Sequence, residues 1–532
     1  MLGVTQAHAQ NNQGPAAIER TIPKPLPQRQ VEPVIAAPSR IGPTKSVDVG
    51  RFTLGAVHIE GATIFSQTEL SQDFEPYLAT EVDQSKLNEI AERITDRYRK
   101  AGYLLSYAVV PPQNVQAGIV RIVVLEGLIS TIQVEGAGSG RAAIEATAAP
   151  LLKDVPLRAR TLERAIGLIR DMPGFAVVDV RLARSAQDSK RHSLKIVVAR
   201  NSIRALAYSD NRGTESAGRM RFYSSASLSS LVTTGDEIRF DLFGIPGSHL
   251  RYVYGQVVAG VPIGRDGLRF SAAASAGDLY QRTAGRTDGT SRNLSAQLSY
   301  PLLRSRALTM LAKVSVNDWL SVGDADHVRN QRDRLRVARI GFDLSNESKT
   351  RLNGEFALSR GLGFDAMTKA GDPLASRLDA SGRFTKAAFT FQVARPVSEK
   401  VTLQFAIAGQ YSDRPLLSVE EFALGGSRFG RAFDFNELTG DRGYAAGIEG
   451  AYRLGDPKHG PQRIELVGYV DGGKVFQAGS PPGRQSQSLM SAGLGSRFSI
   501  GGISFSAEAG VPIKFQGKNK SVRVFFSAYR SF

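Results

Sequence analysis

The chain has 532 residues with no Cys, one Trp, 54 Gly and a formal net charge of +17. Without Cys, disulfide scaffolds, thiol catalysis and Cys-ligated metals are excluded, and no run of eighteen apolar residues exists from which a membrane-spanning helix could be built. An apolar content of 42% against 22% charged residues belongs to a folded chain, and the length calls for more than one domain.

The first ten residues, MLGVTQAHAQ, carry Ala7-His8-Ala9, a small-x-small pattern of the kind signal peptidase cuts. Residues 1–9 are read as a signal-peptide remnant, and the missing apolar core is attributed to a start codon placed late. Residues 10–51 are Pro-rich (Pro15, Pro23, Pro25, Pro27, Pro33, Pro38, Pro43), a linker and possible plug segment with room for only a short helix around Gly14–Arg20.

From Phe52 the period becomes that of a small α+β domain. Phe52–Glu60 alternates. Asp83 caps a predicted helix whose Leu87, Ile90, Ala91, Ile94 and Tyr98 share one face, and Gly102 stops it. Tyr103–Val110 and Ile119–Leu125 read as strands. The grammar then repeats: a strand at Ile129–Glu135, helices at Arg141–Leu152 and around Leu162–Ile169, strands at Phe175–Leu182 and Leu194–Ala199. Ile59-Glu60-Gly61 returns as Val134-Glu135-Gly136, and Ile122-Val123-Val124 as Ile196-Val197-Val198. Residues 52–127 and 128–200 are therefore two β-α-α-β-β copies, each with a strand edge able to accept an extended polypeptide or, alternatively, serving only as a spacer.

After residue 200 the helical period is lost. Sixteen alternating segments begin near residues 203, 219, 236, 250, 267, 293, 307, 334, 351, 384, 401, 445, 463, 489, 503 and 521. An even count of segments of about ten residues, each with one apolar and one polar face, predicts a 16-stranded antiparallel transmembrane β-barrel over 201–532. Thirteen of the seventeen net positive charges fall in this part. They form no run and carry no nucleic-acid motif, so a basic pore lining is favoured over nucleic-acid binding. The last segment ends on Phe532, the aromatic ending seen in bacterial outer-membrane barrels.

No catalytic motif is present. The six His are scattered, and neither a metal-binding His pair, a G-x-S-x-G elbow nor a phosphate loop occurs, so neither enzyme chemistry, cofactor nor metal is expected. The informative stretch is the long connection 412–444, in which Gly425, Gly426 and Gly430 permit turns beside Arg431, Phe433, Asp434 and Phe435. Phe429, Phe433 and Phe435 would be costly if exposed, so the loop is expected to fold into the lumen. In the thirteenth segment, RIELVGYVDGG, alternation points Tyr469, Asp471 and Gly473 inward. Asp471 is the candidate partner for the Arg431 guanidinium, the alternative being a solvated Asp and an unrelated Arg, and Gly473 would let the loop approach the wall.

Two such repeats ahead of a sixteen-stranded barrel resemble the TpsB transporters of two-partner secretion, the FhaC/ShlB-like branch of the BamA superfamily, whose repeats are polypeptide-transport-associated (POTRA) domains. The family's lid motif, V-R-G-F/Y, aligns with Gly430-Arg431-Ala432-Phe433, followed by Asp434. Its wall motif, F-x-D-x-G, aligns with Tyr469-Val470-Asp471-Gly472-Gly473. Gly430 and Ala432 depart from the lid motif, and Tyr469 from the wall motif.

The resemblance implies an outer-membrane location with POTRA 1 (52–127) and POTRA 2 (128–200) in the periplasm. It also implies secretion of an unfolded haemolysin- or adhesin-type client, a TpsA-like polypeptide, through the barrel. Further partners implied are outer-membrane lipid, the barrel-assembly machinery through the C-terminal strand and Phe532, and periplasmic chaperones. Insertases of the superfamily usually carry five POTRA domains, so two favour a secretion transporter. An assembly insertase and a plain diffusion porin are the alternatives.

Overall fold

The computed structural model describes residues 15–19, 21–22, 50–115, 117–214, 218–247, 250–282, 286–346, 348–455, 464–478, 486–515 and 521–532. The segment 1–9 and most of 10–51 lie outside the described residues. The chain divides into two compact units, one closed by residues 28–201 and the other by 202–532 together with the first 27 residues.

The smaller unit has two three-stranded sheets and two cores. In its first half, Ala56–Glu60 runs parallel to Ile119–Leu125, which pairs antiparallel with Tyr107–Val109. The helix Gln84–Lys100 covers this sheet because Leu87, Ile90, Ala91, Ile94 and Tyr98 recur at helical spacing, and all five are buried. Asp83 starts the helix by accepting the Lys86 N–H at 2.9 Å. Each buried Leu or Ile contributes about 1.5–3 kcal/mol, so Leu87→Ala would cost about 2–5 kcal/mol.

In the second half, Leu128–Glu135 runs parallel to Arg191–Asn201, which pairs antiparallel with Gly174–Arg184. Helices Arg141–Ala148 and Ala159–Arg170 cover that sheet. The first of these passes into a 3-10 turn at Ala149–Leu152, where Pro150 lacks the N–H to continue an α-helix.

The repeat has a physical signature. Gly61 and Gly136 both have φ of 79°, and a Cβ on either would stand 2.5 Å from the Val124 carbonyl oxygen or 2.0 Å from that of Val198. These are equivalent positions in the two copies. Glycine is required at both because the chain leaves the first strand against the backbone of the last.

Two local expectations change. Only Tyr107–Val109 of the predicted Tyr103–Val110 strand is paired. The Tyr103 N–H instead closes the preceding helix on the Tyr98 carbonyl at 2.9 Å. A short helix, Gln67–Ser71, was not foreseen, although Ser66 and Glu69 form a reciprocal capping box legible as S-x-x-E.

The larger unit is a closed barrel of sixteen antiparallel strands. Numbered within the barrel, these are β1 (Ile203–Asp210), β2 (Arg221–Ser229), β3 (Glu237–Ile245), β4 (Leu250–Ile263), β5 (Leu268–Arg282), β6 (Arg286–Arg304), β7 (Thr309–Ala325) and β8 (Val328–Ser345). There follow β9 (Arg351–Gly361), β10 (Thr385–Pro396), β11 (Val401–Ser412), β12 (Arg442–Leu454), β13 (Ile464–Phe476), β14 (Ser486–Ile500), β15 (Ile503–Phe515) and β16 (Arg523–Ser531).

Closure satisfies every strand edge, which a lipid environment demands. The outer face is apolar: Leu294, Val314, Ile340, Phe356, Ile448 and Leu494 all project outward and are exposed. The strand count agrees with the sequence pattern. β6 and β8, however, begin at Arg286 and Val328, well before the apolar alternation starts. The closing pair, β16 with β1, is short, with five paired positions from Ser527–Asp210 to Ser531–Leu206.

The chain enters β1 at one end, where short turns join β2 to β3 and β4 to β5. The long connections 362–384 and 413–441 belong to the opposite end.

The barrel also holds the helix Pro15–Glu19. Ile18 is buried among Tyr223, Phe243, Tyr252 and Leu279, all inward-facing wall residues. Glu19 accepts hydrogen bonds from the hydroxyls of Ser291 and, at 3.1 Å, Tyr252. Two wall glycines make the room: a Cβ at Gly289 would stand 2.7 Å from Pro15 Cγ, and one at Gly277 would stand 3.0 Å from Glu19 Oε1.

Candidate functional site

Residues 413–441 leave the end of β11 and turn back into the barrel as a hairpin, in which Phe422–Leu424 pairs antiparallel with Leu438–Gly440. The tip between these strands needs left-handed backbone. Gly425, Gly426 and Gly430 have φ of 103°, 99° and 76°, and a Cβ on Gly425 would stand 2.0 Å from the Asp434 carbonyl oxygen. Leu424, Phe433 and Leu438 pack against Ala445, Val475 and Leu489 of the wall. Gly473 is the socket for one of them, since a Cβ there would meet Leu424 Cδ2 at 2.8 Å.

Polar contacts fix the tip. On β13, alternation points Val467, Tyr469, Asp471 and Val475 inward, and all four are buried. Asp471 Oδ1 accepts the backbone N–H of Gly430 at 2.9 Å, that of Arg431 at 3.3 Å, and the Ser491 hydroxyl. The loop backbone thus crosses the wall so closely that this carboxylate oxygen is taken up by main-chain donors. The Arg431 guanidinium extends past it, 3.7 Å over the Tyr469 ring, to other carboxylates. Arg431 Nη1 donates to Glu449 on β12 at 2.6 Å, and Nη2 donates to Glu508 on β15. The expected side-chain pair between Arg431 and Asp471 is therefore corrected: the two residues meet, but through the arginine's backbone.

Each of the two carboxylates is shared. Glu449 is also held by Arg497 of β14 through two bonds of 2.7 Å. Glu508 also accepts from Arg212, just beyond β1, at 2.6 Å, and Arg212 Nη1 donates to the Arg431 carbonyl at 3.1 Å. The charges alternate along the chain Arg497–Glu449–Arg431–Glu508–Arg212. All but Arg497 are buried, so removing one member strands a neighbouring charge, at a cost of about 3–5 kcal/mol.

Asp434 extends the hold to the last strand, accepting from Arg523 at 2.6 Å, and Phe435 lies 4.1 Å beneath the Arg221 guanidinium. Ala432 is fully buried. A Cβ at Gly510 would stand 3.1 Å from the Ala432 Cβ, so the missing side chain on β15 accommodates the methyl that replaces the family's glycine.

The base of the hairpin has its own clamp. Glu420 pairs with Arg339 of β8 and Lys386 of β10, and its carbonyl accepts from Lys386 at 3.0 Å and from Gln410 at 2.9 Å. Arg377, in the 362–384 connection, bonds Glu421 at 2.9 Å and Asp441 at 2.7 Å.

The predicted residues Gly430, Arg431, Ala432, Phe433, Asp434, Tyr469, Asp471 and Gly473 are thus brought together. Phe532 lies apart: its backbone continues the closing pair, exchanging bonds of 2.9 and 3.3 Å with Ala205, and its ring is exposed. Glu449, Glu508, Arg212, Arg497, Arg523 and Glu420 were not identified from sequence. Alternation points Glu449 and Glu508 inward, but their partner depends on the path of the loop.

Comparison with known proteins agrees with this architecture. Residues 194–498 match the family model for haemolysin secretion/activation protein ShlB/FhaC/HecB, and residues 52–127 match the ShlB-type POTRA domain. The heme/hemopexin transporter protein HuxB of Haemophilus influenzae (strain 86-028NP) is 25% identical over 394 residues, which is 71% of this chain and 66% of that protein. The outer membrane transporter CdiB of Escherichia coli is 22% identical over 511 residues, 90% of this chain and 83% of the relative. The solved structure of CdiB from Escherichia coli has the same fold, with a TM-score of 0.74 at 19% identity, covering 99% of this chain and 97% of that one. The chain belongs to the ShlB/FhaC/HecB family of haemolysin secretion/activation proteins.

Proposed function

We propose that this outer-membrane protein secretes an unfolded polypeptide through its barrel in two-partner secretion, receiving the client in the periplasm through its two POTRA domains. The observation that carries the reading is a closed barrel wide enough for a channel in which a hairpin is folded inward and held by the ion-pair chain Arg497–Glu449–Arg431–Glu508–Arg212. A pore for free diffusion has no need of such a lock.

The small unit offers strand edges at Ala56–Glu60, Tyr107–Val109, Leu128–Glu135 and Gly174–Arg184, where an extended TpsA-like client adds strands. Folding of the client outside the cell makes the passage irreversible, with neither nucleotide nor cofactor. Gly430, Arg431, Ala432, Phe433 and Asp434 act as the lid, and Tyr469, Asp471 and Gly473 as its seat. Phe532 serves barrel assembly, and periplasmic chaperones keep the client unfolded. The names of HuxB and CdiB, both transporters, support the class.

The test is secretion of a TpsA-like exoprotein co-expressed with this protein. Deleting residues 52–200 abolishes it on this reading, and intact export would favour a diffusion porin. Loss of many outer-membrane proteins on deleting the whole gene would favour an assembly insertase.

A further inference from the structure

The three longest barrel strands are neighbours: β6, β7 and β8 have 19, 17 and 18 residues. Their upper parts, at the end of the barrel opposite the chain's entry into β1, rise above the apolar belt. There the outward face changes character. The run Arg332-Asp333-Arg334-Leu335-Arg336 on β8 places an arginine at every second residue, so all three lie on one face while Asp333 and Leu335 are buried on the other.

The register assembles these arginines with others. Leu320 of β7 stands between Arg292 of β6 and Arg334 of β8, which places those two about 10 Å apart across two strand spacings. One step lower, Arg336 faces Asp318 and donates to it through Nε at 3.0 Å. One step lower again, Arg360 of β9 faces Ala338. The outward carboxylates nearby are Asp318, Asp288 and Asp324, already paired with Arg336, Arg286 and Arg329, and the exposed Asp278 on β5. Among the described residues Arg292, Arg332 and Arg334 make no ion pair.

Directly below this cluster the belt is indented. A groove of about 580 Å³ runs over Ala259, Ala272, Ala274 and Ala296, is walled by Val257, Leu294 and Val316, and ends at the Asp318–Arg336 pair. Elsewhere the outer face carries exposed bulky side chains, such as Phe356 and Ile448. Small residues under a head of unpaired guanidinium groups make an acyl-chain slot topped by phosphate ligands.

We propose that β5–β8 bind one phosphorylated, multiply acylated lipid of the outer leaflet, its acyl chain lying over the four alanines and its phosphate held by Arg292 and Arg334. The facts fit one another in height. The long strands connect at the cell-surface end, where the leaflet's headgroups carry phosphate, and guanidinium groups match phosphate oxygens in bidentate fashion. Charges near the interface cost far less than at the bilayer midplane, so the arginines are tolerated without a ligand and stabilised by one. Arg336 is neutralised by Asp318 and fixes the lower edge of the headgroup site. The site depends on the barrel's orientation in the outer membrane and not on which client is secreted.

The experiment uses the full-length protein in dodecyl maltoside, with bound lipid counted by native mass spectrometry after titration with bisphosphorylated lipid A. Wild type retains one lipid A, and the dephosphorylated form binds at least tenfold more weakly. The double variant Arg292→Gln/Arg334→Gln weakens lipid A by at least tenfold. Ala296→Leu, which fills the slot with no change of charge, also weakens it, and Arg395→Gln, an outward arginine at the opposite end of the barrel, does not.

Heat-modifiable gel migration reports that each variant still forms its barrel. A double variant that is folded and binds as wild type does would overturn the proposal. Equal retention of phosphate-free lipid, or complete displacement by millimolar inorganic phosphate (a bare anion site), would also overturn it.

Discussion

Asp471 holds Arg431 by its backbone: Oδ1 lies 3.3 Å from the arginine's amide nitrogen and 2.9 Å from that of Gly430, while the guanidinium pairs with Glu449 and Glu508. An acceptor in this place matters for its lone pairs. A guanidinium partner would matter for its charge. The two roles separate experimentally.

The other carboxylate oxygen, Asp471 Oδ2, is buried with no hydrogen-bond partner among the described residues. Asp471→Asn keeps an acceptor at Oδ1 but puts an unpartnered NH2 where the idle oxygen was, so it is expected to cost about 1–2 kcal/mol and to retain part of wild-type secretion. Asp471→Ala leaves two N–H groups and a hydroxyl unsatisfied, at about 1–3 kcal/mol each, and is expected to abolish secretion. The exchange Arg431→Asp with Asp471→Arg should give no rescue, because the side chains are not partners. Exoprotein in the culture medium, against barrel in the outer membrane, measures all three.

Glu508 is the charge on which the hold turns, because it serves Arg431 of the hairpin and Arg212 just beyond β1 together. Glu508→Gln should weaken docking of the hairpin by about 3 kcal/mol, on the order of a hundredfold in the docked fraction. Trypsin added to intact cells should then cut at Arg428 or Arg431. Continued protection of the loop in the variant would assign its hold to the apolar contacts of Phe433 and Leu438.

The inner helix gives a steric prediction. Gly289→Leu places a side chain where Pro15 Cγ would be 2.7 Å from its Cβ, an overpacking of about 1–3 kcal/mol. The helix should leave its seat about 5- to 150-fold more often. Planar-bilayer recordings should show a higher mean conductance than wild type, and the same conductance would mean that the helix does not obstruct the pore.

Sixteen strands were legible because period 2 is strict wherever a strand faces lipid on one side. Their upper ends were not. β6 was read from 293 and starts at Arg286, and β8 from 334 and starts at Val328, since Arg292 and Arg332 interrupt the apolar face above the belt. The seat of the hairpin was half legible for a related reason. Alternation alone orients Asp471, Glu449 and Glu508 into the lumen. Which of them meets Arg431 depends on how closely the hairpin backbone approaches β13, and that distance is set by Gly473 receiving Leu424 and by the left-handed Gly430.

The first POTRA domain should be acid-sensitive through one carboxylate. Glu126 is buried, and its Oε1 accepts from the Thr63 N–H at 2.7 Å, the Ile64 N–H at 3.1 Å and the Tyr98 hydroxyl at 2.7 Å, while Oε2 accepts from the Thr63 hydroxyl. Burial alone would raise its pKa, but the hydrogen bonds from Thr63, Tyr98 and Ile64 outweigh burial and hold the carboxyl below the usual value of 4.5. A group depressed in the folded state contributes stability that is complete above its unfolded value and is lost as pH falls through the folded one. Unfolding of residues 50–201, whose two cores are their own, should therefore lose stability below about pH 4.5. Glu126→Gln keeps an acceptor at Oε1 and removes the charge, so it should cost about 1–2 kcal/mol at pH 7 and flatten the acid side of the profile. Urea midpoints at each pH measure this, and an unchanged acid slope in the variant would place the sensitivity in another carboxylate.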